Sequence, residues 1–157
     1  MLKNALQRLV GAKENIKTYE LIRLQAKTYR SLKNYFNTKL ESEKLSSLEW
    51  SILGLLHKNE NGLRFIEIAQ RMGVEPPFVT ELVSRLEKQK IVKTTDNPQD
   101  KRAKIVQLTE KGTKKLNSVE ETLEEKVMNL FSDISANEWQ VYKNVMEKIS
   151  GNTFSSK

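Results

Sequence analysis

Apolar residues recur at steps of three and four along most of this chain, which is the spacing of one face of an α-helix. Segments with this spacing cover residues 21–40, 47–57, 65–72, 76–90, 109–130 and 136–150. Two shorter segments, 91–96 and 104–108, are instead rich in Val, Ile and Thr, and they flank a turn at 97–103. The pattern predicts a mainly α-helical chain that contains one small β-hairpin.

Two helix starts are marked by the same local motif. In LSSLEW, Ser46 precedes Glu49 by three residues, and in ISANEW, Ser135 precedes Glu138 by the same interval. A serine and a glutamate at this spacing form a capping box, in which each side chain accepts a hydrogen bond from the other residue's backbone N–H. We therefore expect helices to begin directly after each serine.

Glycine and proline separate the three central helices. KNENG should end the first of them near His57, and Gly73 should end the second. Pro76 or Pro77 suits the first turn of the third helix, where a missing backbone N–H costs no hydrogen bond. The third helix is expected to turn four apolar side chains to the core: Val79, Leu82, Val83 and Leu86.

Composition excludes several kinds of chemistry. The chain has no cysteine, so it forms no disulfide, thiol switch or thiolate metal site. His57 is the single histidine, and we interpret it as a buried or capping residue at a helix end rather than a metal ligand or a catalytic base. No paired carboxylates, Ser-His pair or glycine-rich phosphate loop is apparent, so an enzyme, a bound metal and a cofactor are not expected. No apolar run reaches the ~20 residues of a membrane span, and the expectation is a soluble, cytoplasmic protein.

The net charge of +7 is unevenly distributed. Residues 84–115, around the predicted hairpin, contain ten Lys and Arg against four Asp and Glu, and residues 1–44 contain the same numbers. The segments 45–83 and 116–157 are net acidic. A basic block around the hairpin is what a phosphate-binding surface needs. Charge alone leaves a merely soluble surface as the alternative.

A short helix, a tight turn, a second helix and a basic hairpin are together typical of a winged helix-turn-helix, whose second helix lies in the major groove of DNA. The solvent face of that helix holds Pro77, Phe78, Thr80, Glu81, Ser84, Arg85 and Lys88. The hydroxyls of Thr80 and Ser84 suit bases or phosphates, and the two basic side chains suit phosphates. The proline and Phe78 suit thymine methyl groups, with a partly buried core position as an equal alternative for Phe78.

The hairpin is interpreted as the wing of this fold. A thin ribbon can reach the neighbouring minor groove, where an arginine is favoured because it is less tightly hydrated than a lysine. We therefore assign Arg102 to the minor groove, and Lys101 and Lys104 to the DNA backbone. Asp100 is expected to accept hydrogen bonds from the turn or to pair with an arginine such as Arg85 or Arg102. The alternative is a wing that is only a solvated turn.

At these residues the chain resembles a known family. DKRAKIVQLTEKG is similar to the D-x-R…LT-x-x-G signature of the MarR (multiple antibiotic resistance) regulators, and residues 62–93 resemble their two central helices and first wing strand. The close resemblance covers residues 45–112. It implies a homodimeric bacterial or archaeal transcription regulator, here expected to be a repressor, that binds a pseudo-palindromic operator in double-stranded DNA. It also implies that Arg102 is the wing arginine, Asp100 its orienting carboxylate and Arg85 a recognition-helix arginine near phosphate.

Three features depart from the family pattern. Glu81 stands where the family often has a basic or small polar residue, and a carboxylate there prefers cytosine amino groups and repels phosphate. Lys90 stands where glycine is common, and the double proline at Pro76 and Pro77 is unusual. These departures leave open the DNA sequence that the chain reads.

The predicted fold is mainly α with a small β-hairpin wing, and it has three parts. Residues 1–44 form N-terminal dimerisation helices, residues 45–108 the winged helix-turn-helix DNA-binding lobe, and residues 109–157 C-terminal dimerisation helices. Residues 2–10 are expected to add a short turn or two of helix. The first and last helices are amphipathic and stand outside the central lobe. They pack either on each other within one chain or against a second copy, and we favour the two-fold dimer.

The resemblance further implies a small-molecule effector that binds between the dimerisation helices and the DNA-binding lobe. Tyr29, Phe36 and Trp50 are candidate lining residues, with ordinary core positions as the alternative. The lack of cysteine excludes a thiol-peroxide sensor, and the scarcity of histidine argues against a zinc sensor. A winged-helix module that binds another protein is the second function to consider, and its DNA affinity should be weak or insensitive to salt.

Overall fold

The computed structural model describes residues 17–97 and 100–154, apart from the side chains of Thr18, Lys101, Arg102 and residues 152–154. In chain order the α-helices are α1 (Thr18–Leu40), α2 (Ser47–His57), α3 (Phe65–Met72), α4 (Pro76–Lys88), α5 (Glu110–Leu130) and α6 (Ala136–Phe154), and a short 3-10 helix covers Glu41–Glu43. The strands are β1 (Leu63–Arg64), β2 (Val92–Asn97) and β3 (Asp100–Leu108). The predicted mainly helical fold with a small wing is confirmed. The helical turns expected at residues 2–10 lie outside the described residues.

Both capping boxes form as predicted. At α2 the backbone N–H of Glu49 donates to Oγ of Ser46 at 3.2 Å, and the backbone N–H of Ser46 donates to Oε2 of Glu49 at 2.8 Å. At α6 the same two bonds join Ser135 and Glu138, at 3.3 and 2.9 Å. The hydroxyl of Ser135, and then its backbone N–H, lower the pKa of the Glu138 carboxyl. These local bonds explain why α2 and α6 begin where the sequence places them.

β3 is the central strand of a three-stranded antiparallel sheet, with β1 on one side and β2 on the other. β2 continues to Asn97 and β3 begins at Asp100, where the two residues pair. The prediction of a turn over 97–103 is therefore wrong for most of that segment. Its polar residues disfavour strands only weakly, so both strands extend into the segment. The register shifts beyond the pair of Asp96 and Lys104, so the ladder is irregular there. β1 is not predicted from the sequence, since two residues are too few to show alternation.

The described part of the chain divides into two compact units, the first ending at Leu116 and the second beginning at Asn117. The most deeply buried side chains of the first unit are those of Leu40, Ile52, Leu53, Leu56, Ile68, Val79, Leu82, Val83, Leu86, Ile91 and Val106. The four α4 residues predicted to face the core are all among them. Burying each such side chain favours folding by about 1.5–3 kcal/mol. One face of α4 is thereby fixed in the core, and the opposite face remains in solvent.

Exposed apolar side chains are most numerous on two helices. In the first unit, α1 exposes Leu21, Ile22, Leu24 and Tyr29, at 44–64%. In the second unit, α6 exposes Trp139, Val141, Val145, Met146 and Ile149, at 41–54%. The apolar stripe predicted along α6 is therefore present, and it faces solvent. None of the helices that the structure describes has both the length and the apolar content to cross a membrane.

The junction between the wing and α5 gives a physical reason for the LT-x-x-G motif. Oγ1 of Thr109 accepts the backbone N–H of Gly112 at 3.0 Å, which caps α5. A Cβ on Gly112 would lie 2.1 Å from the carbonyl oxygen of Ile91, so the position requires glycine. Lys90 has a φ of 60°, in the left-handed region, which explains why glycine is common there in the similar family. Holding a lysine in that conformation costs roughly 1–2 kcal/mol.

Candidate nucleic-acid interface

α4 presents every one of the predicted DNA-facing residues to solvent. These are Pro77, Phe78, Thr80, Glu81, Ser84, Arg85 and Lys88. Phe78 is 38% exposed, so its ring is partly covered by the fold and partly accessible to a ligand. The hydroxyl of Thr80 donates to the backbone carbonyl of Pro76 at 3.2 Å and keeps its lone pairs for an incoming donor. The surface of α4 thus combines apolar, hydroxyl and charged groups along one accessible side.

Arg85 is held by two carboxylates. Its Nε donates to Oε1 of Glu49 and its Nη1 donates to Oε1 of Glu81, both at 2.9 Å. The side chain of Glu49 is only 6% exposed, and its Oε2 also accepts the backbone N–H and the hydroxyl of Ser46, each at 2.8 Å. Among the described residues, Glu49 is the one charged side chain that is buried. A carboxylate so far from water needs these donors, because burial removes its hydration.

The Glu49–Arg85 ion pair is not predictable from local sequence. The sequence pattern places Glu49 only in the cap of α2, and Asp100 is the partner expected for an arginine such as Arg85. The two paired residues are 36 positions apart, so no local spacing connects them. One signal was present: the capping box uses one carboxylate oxygen, and the other oxygen of a buried carboxylate needs a donor from elsewhere in the fold.

The wing carries both signs of charge. Lys104 forms an ion pair with Asp96, its partner across the hairpin. Both side chains are more than half exposed, so the pair adds little to stability. Asp100 is exposed at the first position of β3, and Lys101 and Arg102 follow it in the strand, with side chains outside what the structure describes. The DNA contacts assigned to these residues therefore stay predictions.

The structure brings together two of the three aromatic candidates for a ligand pocket. The rings of Phe36 and Trp50 are in contact, with centroids 5.3 Å apart, whereas Tyr29 is 54% exposed. A nearby shallow cavity of about 510 Å³ is lined by Asn37, Thr38, Glu41, Lys44, Leu45, Ser46, Glu49 and Arg85. A second cavity, of about 650 Å³, lies beside the wing. It is lined by Asn61, Gly62, Arg64, Glu67, Thr95, Asp96, Asn97, Ile105 and Gln107.

His57 lies at the last position of α2 and is exposed. Its expected place at a helix end is confirmed, and the suggestion that it is buried is wrong, because its neighbour Leu56 is the residue that faces the core. Within residues 17–97 and 100–154, no cluster of His, Asp and Glu has the geometry to hold a metal ion.

One side of α4 packs in the core, its other side faces solvent, and a β-wing follows the helix. This arrangement defines a winged helix-turn-helix protein. The sequence model of the MarR family matches residues 45–104. The HTH-type transcriptional regulator MhqR of Bacillus subtilis (strain 168) is 24% identical over 137 residues, which are 87% of this chain and 93% of MhqR. Residues 45–104 therefore form a MarR-family domain, and over most of its length the chain is similar to a transcriptional regulator.

Solved structures share this fold over most of their length. A MarR-family transcriptional regulator from Rhodococcus sp. RHA1 superposes with a TM-score of 0.78 at 20% identity, covering 87% of this chain and 96% of that one. The transcriptional regulator BldR from Sulfolobus solfataricus gives a TM-score of 0.76 at 26% identity, covering 86% and 99%. The family and these neighbours are regulators of transcription and not enzymes.

Proposed function

We propose that this protein is a homodimeric, sequence-specific DNA-binding repressor of transcription. In this proposal α4 lies in the major groove, and Arg102 of the wing enters the adjacent minor groove. The observation that carries the proposal is the two-sided α4, with its apolar residues fixed in the core and its hydroxyl and charged residues exposed. A helix held this way fits a major groove about 12 Å wide and needs no rearrangement of the core to enter it.

The exposed residues of α4 divide by chemistry into two groups. Thr80 and Ser84 offer hydroxyl groups to bases or phosphates, and Phe78 with the adjacent proline offers apolar surface to thymine methyl groups. Lys88 supplies a cation for phosphate. Arg85 retains N–H donors beyond the two that hold its carboxylate partners, so it also has groups for a phosphate oxygen. We assign Lys101 and Lys104 of the wing to the backbone of the duplex and Asp100 to the support of Arg102.

The dimer is supported by the apolar side chains that α1 and α6 expose. Leu24 of α1 is 57% exposed and Ile149 of α6 is 54% exposed, and surfaces of this kind are commonly covered by a partner. We assign residues 1–44 and 109–157 to a two-fold interface between copies. A two-fold dimer would place its two α4 helices in successive major grooves, about 34–36 Å apart, on a pseudo-palindromic operator.

Selection of bound fragments from random double-stranded DNA tests the proposal directly. We expect an enriched motif with two related half-sites about one helical turn apart, because a two-fold dimer reads the same bases twice. Fluorescence anisotropy on the enriched DNA should then show affinity that falls steeply with salt. If the dimer neutralises about six phosphates, Kd should rise about a thousandfold between 50 and 200 mM salt.

The alternative is a winged-helix module that binds another protein and has weak or no specific affinity for DNA. That module would enrich no motif, and whatever DNA it bound would show little salt dependence. A random library that yields no motif, together with a flat salt profile, would reject the DNA-binding proposal. The same experiment therefore separates the two functions.

Replacing an exposed apolar residue of the proposed interface by aspartate should separate the copies. We expect Ile149→Asp and Leu24→Asp each to weaken the dimer at least about a hundredfold, since two-fold symmetry brings the unpaired charge into the interface twice. Sedimentation velocity over a concentration series measures the change. Asn144→Asp is the matched control, because Asn144 is exposed on α6 and its side chain accepts a hydrogen bond from Gln140 of the same helix. If both apolar variants dimerise as tightly as Asn144→Asp, the interface assignment is wrong.

We extend the proposal to a small-molecule effector. CouR from Rhodococcus jostii RHA1, a protein of similar fold, has been solved bound to p-coumaroyl-CoA. In this chain the cavity of about 510 Å³ includes Glu49 and Arg85 in its lining, so a molecule bound there would contact the ion pair that holds α4. It would change DNA affinity only through a difference in its own affinity for the free and DNA-bound conformations.

A further inference from the structure

Glu81 is a carboxylate in the middle of a surface proposed to meet a polyanion. Its side chain is 62% exposed on α4, between Thr80 and the two basic residues of the same face. An unpaired carboxylate at such a position would be repelled by phosphate and would weaken binding to every DNA sequence alike. Its presence there needs a compensating interaction, and the structure contains one.

The compensating interaction is the ion pair with Arg85. Nη1 of Arg85 donates to Oε1 of Glu81 at 2.9 Å, and among the described residues Oε2 of Glu81 accepts no other hydrogen bond. The guanidinium reduces the negative charge at Oε1 and limits the rotamers that the glutamate can adopt. One acceptor oxygen thus stays available on a side chain whose position is restricted.

Arg85 is itself held in place by a buried residue of α2. Its Nε bonds to buried Glu49, and Glu49 bonds to the backbone N–H and hydroxyl of Ser46 at the start of α2. The contacts therefore run without a gap from the capping box of α2, through the guanidinium, to the exposed carboxylate. A side chain supported in this way makes a directional hydrogen bond at a lower entropic cost than a free one.

In the major groove, the group that suits a carboxylate acceptor is the N4 amino group of cytosine. Guanine offers only acceptors there, which a carboxylate repels, and thymine offers an acceptor and a methyl group. Adenine offers one amino donor next to an acceptor, a pattern that an amide matches better than a carboxylate does.

We propose that Glu81 is a specificity-determining residue that accepts a hydrogen bond from a cytosine amino group in each operator half-site, and that Arg85 is its positioning residue. This inference rests on the proposed DNA-binding function. In this inference the Glu49–Arg85–Glu81 contacts hold the carboxylate of Glu81 in position for a hydrogen bond with one base. Without them the same carboxylate would only repel DNA. The operator should therefore contain one cytosine position per half-site that depends on Glu81.

The test is a parallel selection from random double-stranded DNA with the full chain and three variants. The unaltered protein should favour cytosine at one position of each half-site by about tenfold or more over other bases. Glu81→Gln should move that preference to adenine, because an amide pairs with the amino group and N7 of adenine. Glu81→Ala should lose the preference at that position and keep the rest of the motif. Glu87→Gln is the matched control, since Glu87 is exposed on the same helix outside the DNA-facing set, and it should give the unaltered motif.

The outcomes separate this inference from the function on which it rests. If a two-half-site motif is enriched but no cytosine position responds to Glu81→Gln or Glu81→Ala, Glu81 reads no base and the inference is overturned while the DNA-binding function stands. If no motif is enriched by the unaltered protein, both fail.

The positioning role of Arg85 has its own readout. Arg85→Lys keeps the charge and loses the planar fork that bonds two carboxylates at once. We expect it to reduce the cytosine preference severalfold at the Glu81-dependent position alone, with the salt slope and the other positions of the motif unchanged. A merely structural role would lower affinity for all sequences by the same factor and leave the base preferences as they are.

Discussion

Arg102→Ala is expected to weaken binding to A·T-rich operator DNA about tenfold to a hundredfold, which is the effect of removing an arginine worth about 1–3 kcal/mol from a groove contact. Arg102 follows Asp100 closely in β3, the strand that returns from the tip of the wing. The minor groove of A·T-rich DNA is narrow and has an enhanced negative potential, and a guanidinium sheds its hydration there more readily than an ammonium does. Fluorescence anisotropy at fixed salt measures the loss.

The control for this prediction removes the same charge elsewhere. Lys143 is exposed on α6, where its ammonium lies 3.8 Å from a carboxylate oxygen of Glu147, so Lys143→Ala changes the net charge equally. It should shift Kd less than about threefold, because the proposal assigns α6 to the dimer interface and not to the surface that meets DNA. Equal losses from the two variants would refute the assignment of Arg102 to the groove.

The DNA itself provides a second comparison. Replacing the A·T pairs next to the half-site by G·C pairs widens the minor groove and adds the amino group of guanine to its floor. The unaltered protein should lose affinity on this DNA, and Arg102→Ala should bind both DNAs alike. A wing that is only a solvated turn would instead leave the two DNAs equivalent for both proteins.

The helices of this fold were predictable because their boundaries are set by local interactions. The capping box at Ser46 and Glu49 needs only four consecutive residues, and α2 begins directly after Ser46. The left-handed conformation of Gly73 ends α3 within the same few residues. The buried face of α4 follows from steps of three and four among apolar positions. Such signals are carried by neighbouring residues and require no knowledge of the tertiary structure.

The parts that could not be predicted depend on residues distant in sequence. β1 exists because Leu63 and Arg64 pair with Val106 and Ile105, about forty residues later in the chain. The ion pair between Glu49 and Arg85 likewise forms only once α2 and α4 have packed. For the candidate site, periodicity identified which residues α4 exposes. It could not show that one of them is held between two carboxylates.

Gly112→Ala should destabilise the fold by about 3 kcal/mol, which would lower the Tm by roughly 10 °C in a chain of this size. The added Cβ would lie 2.1 Å from the carbonyl oxygen of Ile91, far inside contact distance. That carbonyl cannot retreat freely, because it accepts the backbone N–H of Thr109 at 3.0 Å. Either this hydrogen bond or the start of α5 must shift. Thermal and urea unfolding at one protein concentration measure the loss, since the stability of a dimer depends on concentration.

Gly54→Ala is the matched control, because Gly54 also lies within a helix and an added Cβ there meets no atom within 4 Å. Helix propensity alone favours alanine over glycine by up to about 1 kcal/mol at both positions, so Gly54→Ala should stabilise the protein slightly. Opposite signs for the two variants would show that the contact with Ile91 decides the residue at 112. A stabilising Gly112→Ala would mean that the start of α5 can move away from the carbonyl of Ile91 at little cost. In that case the LT-x-x-G motif could not hold the wing in a fixed position for a groove contact by Arg102.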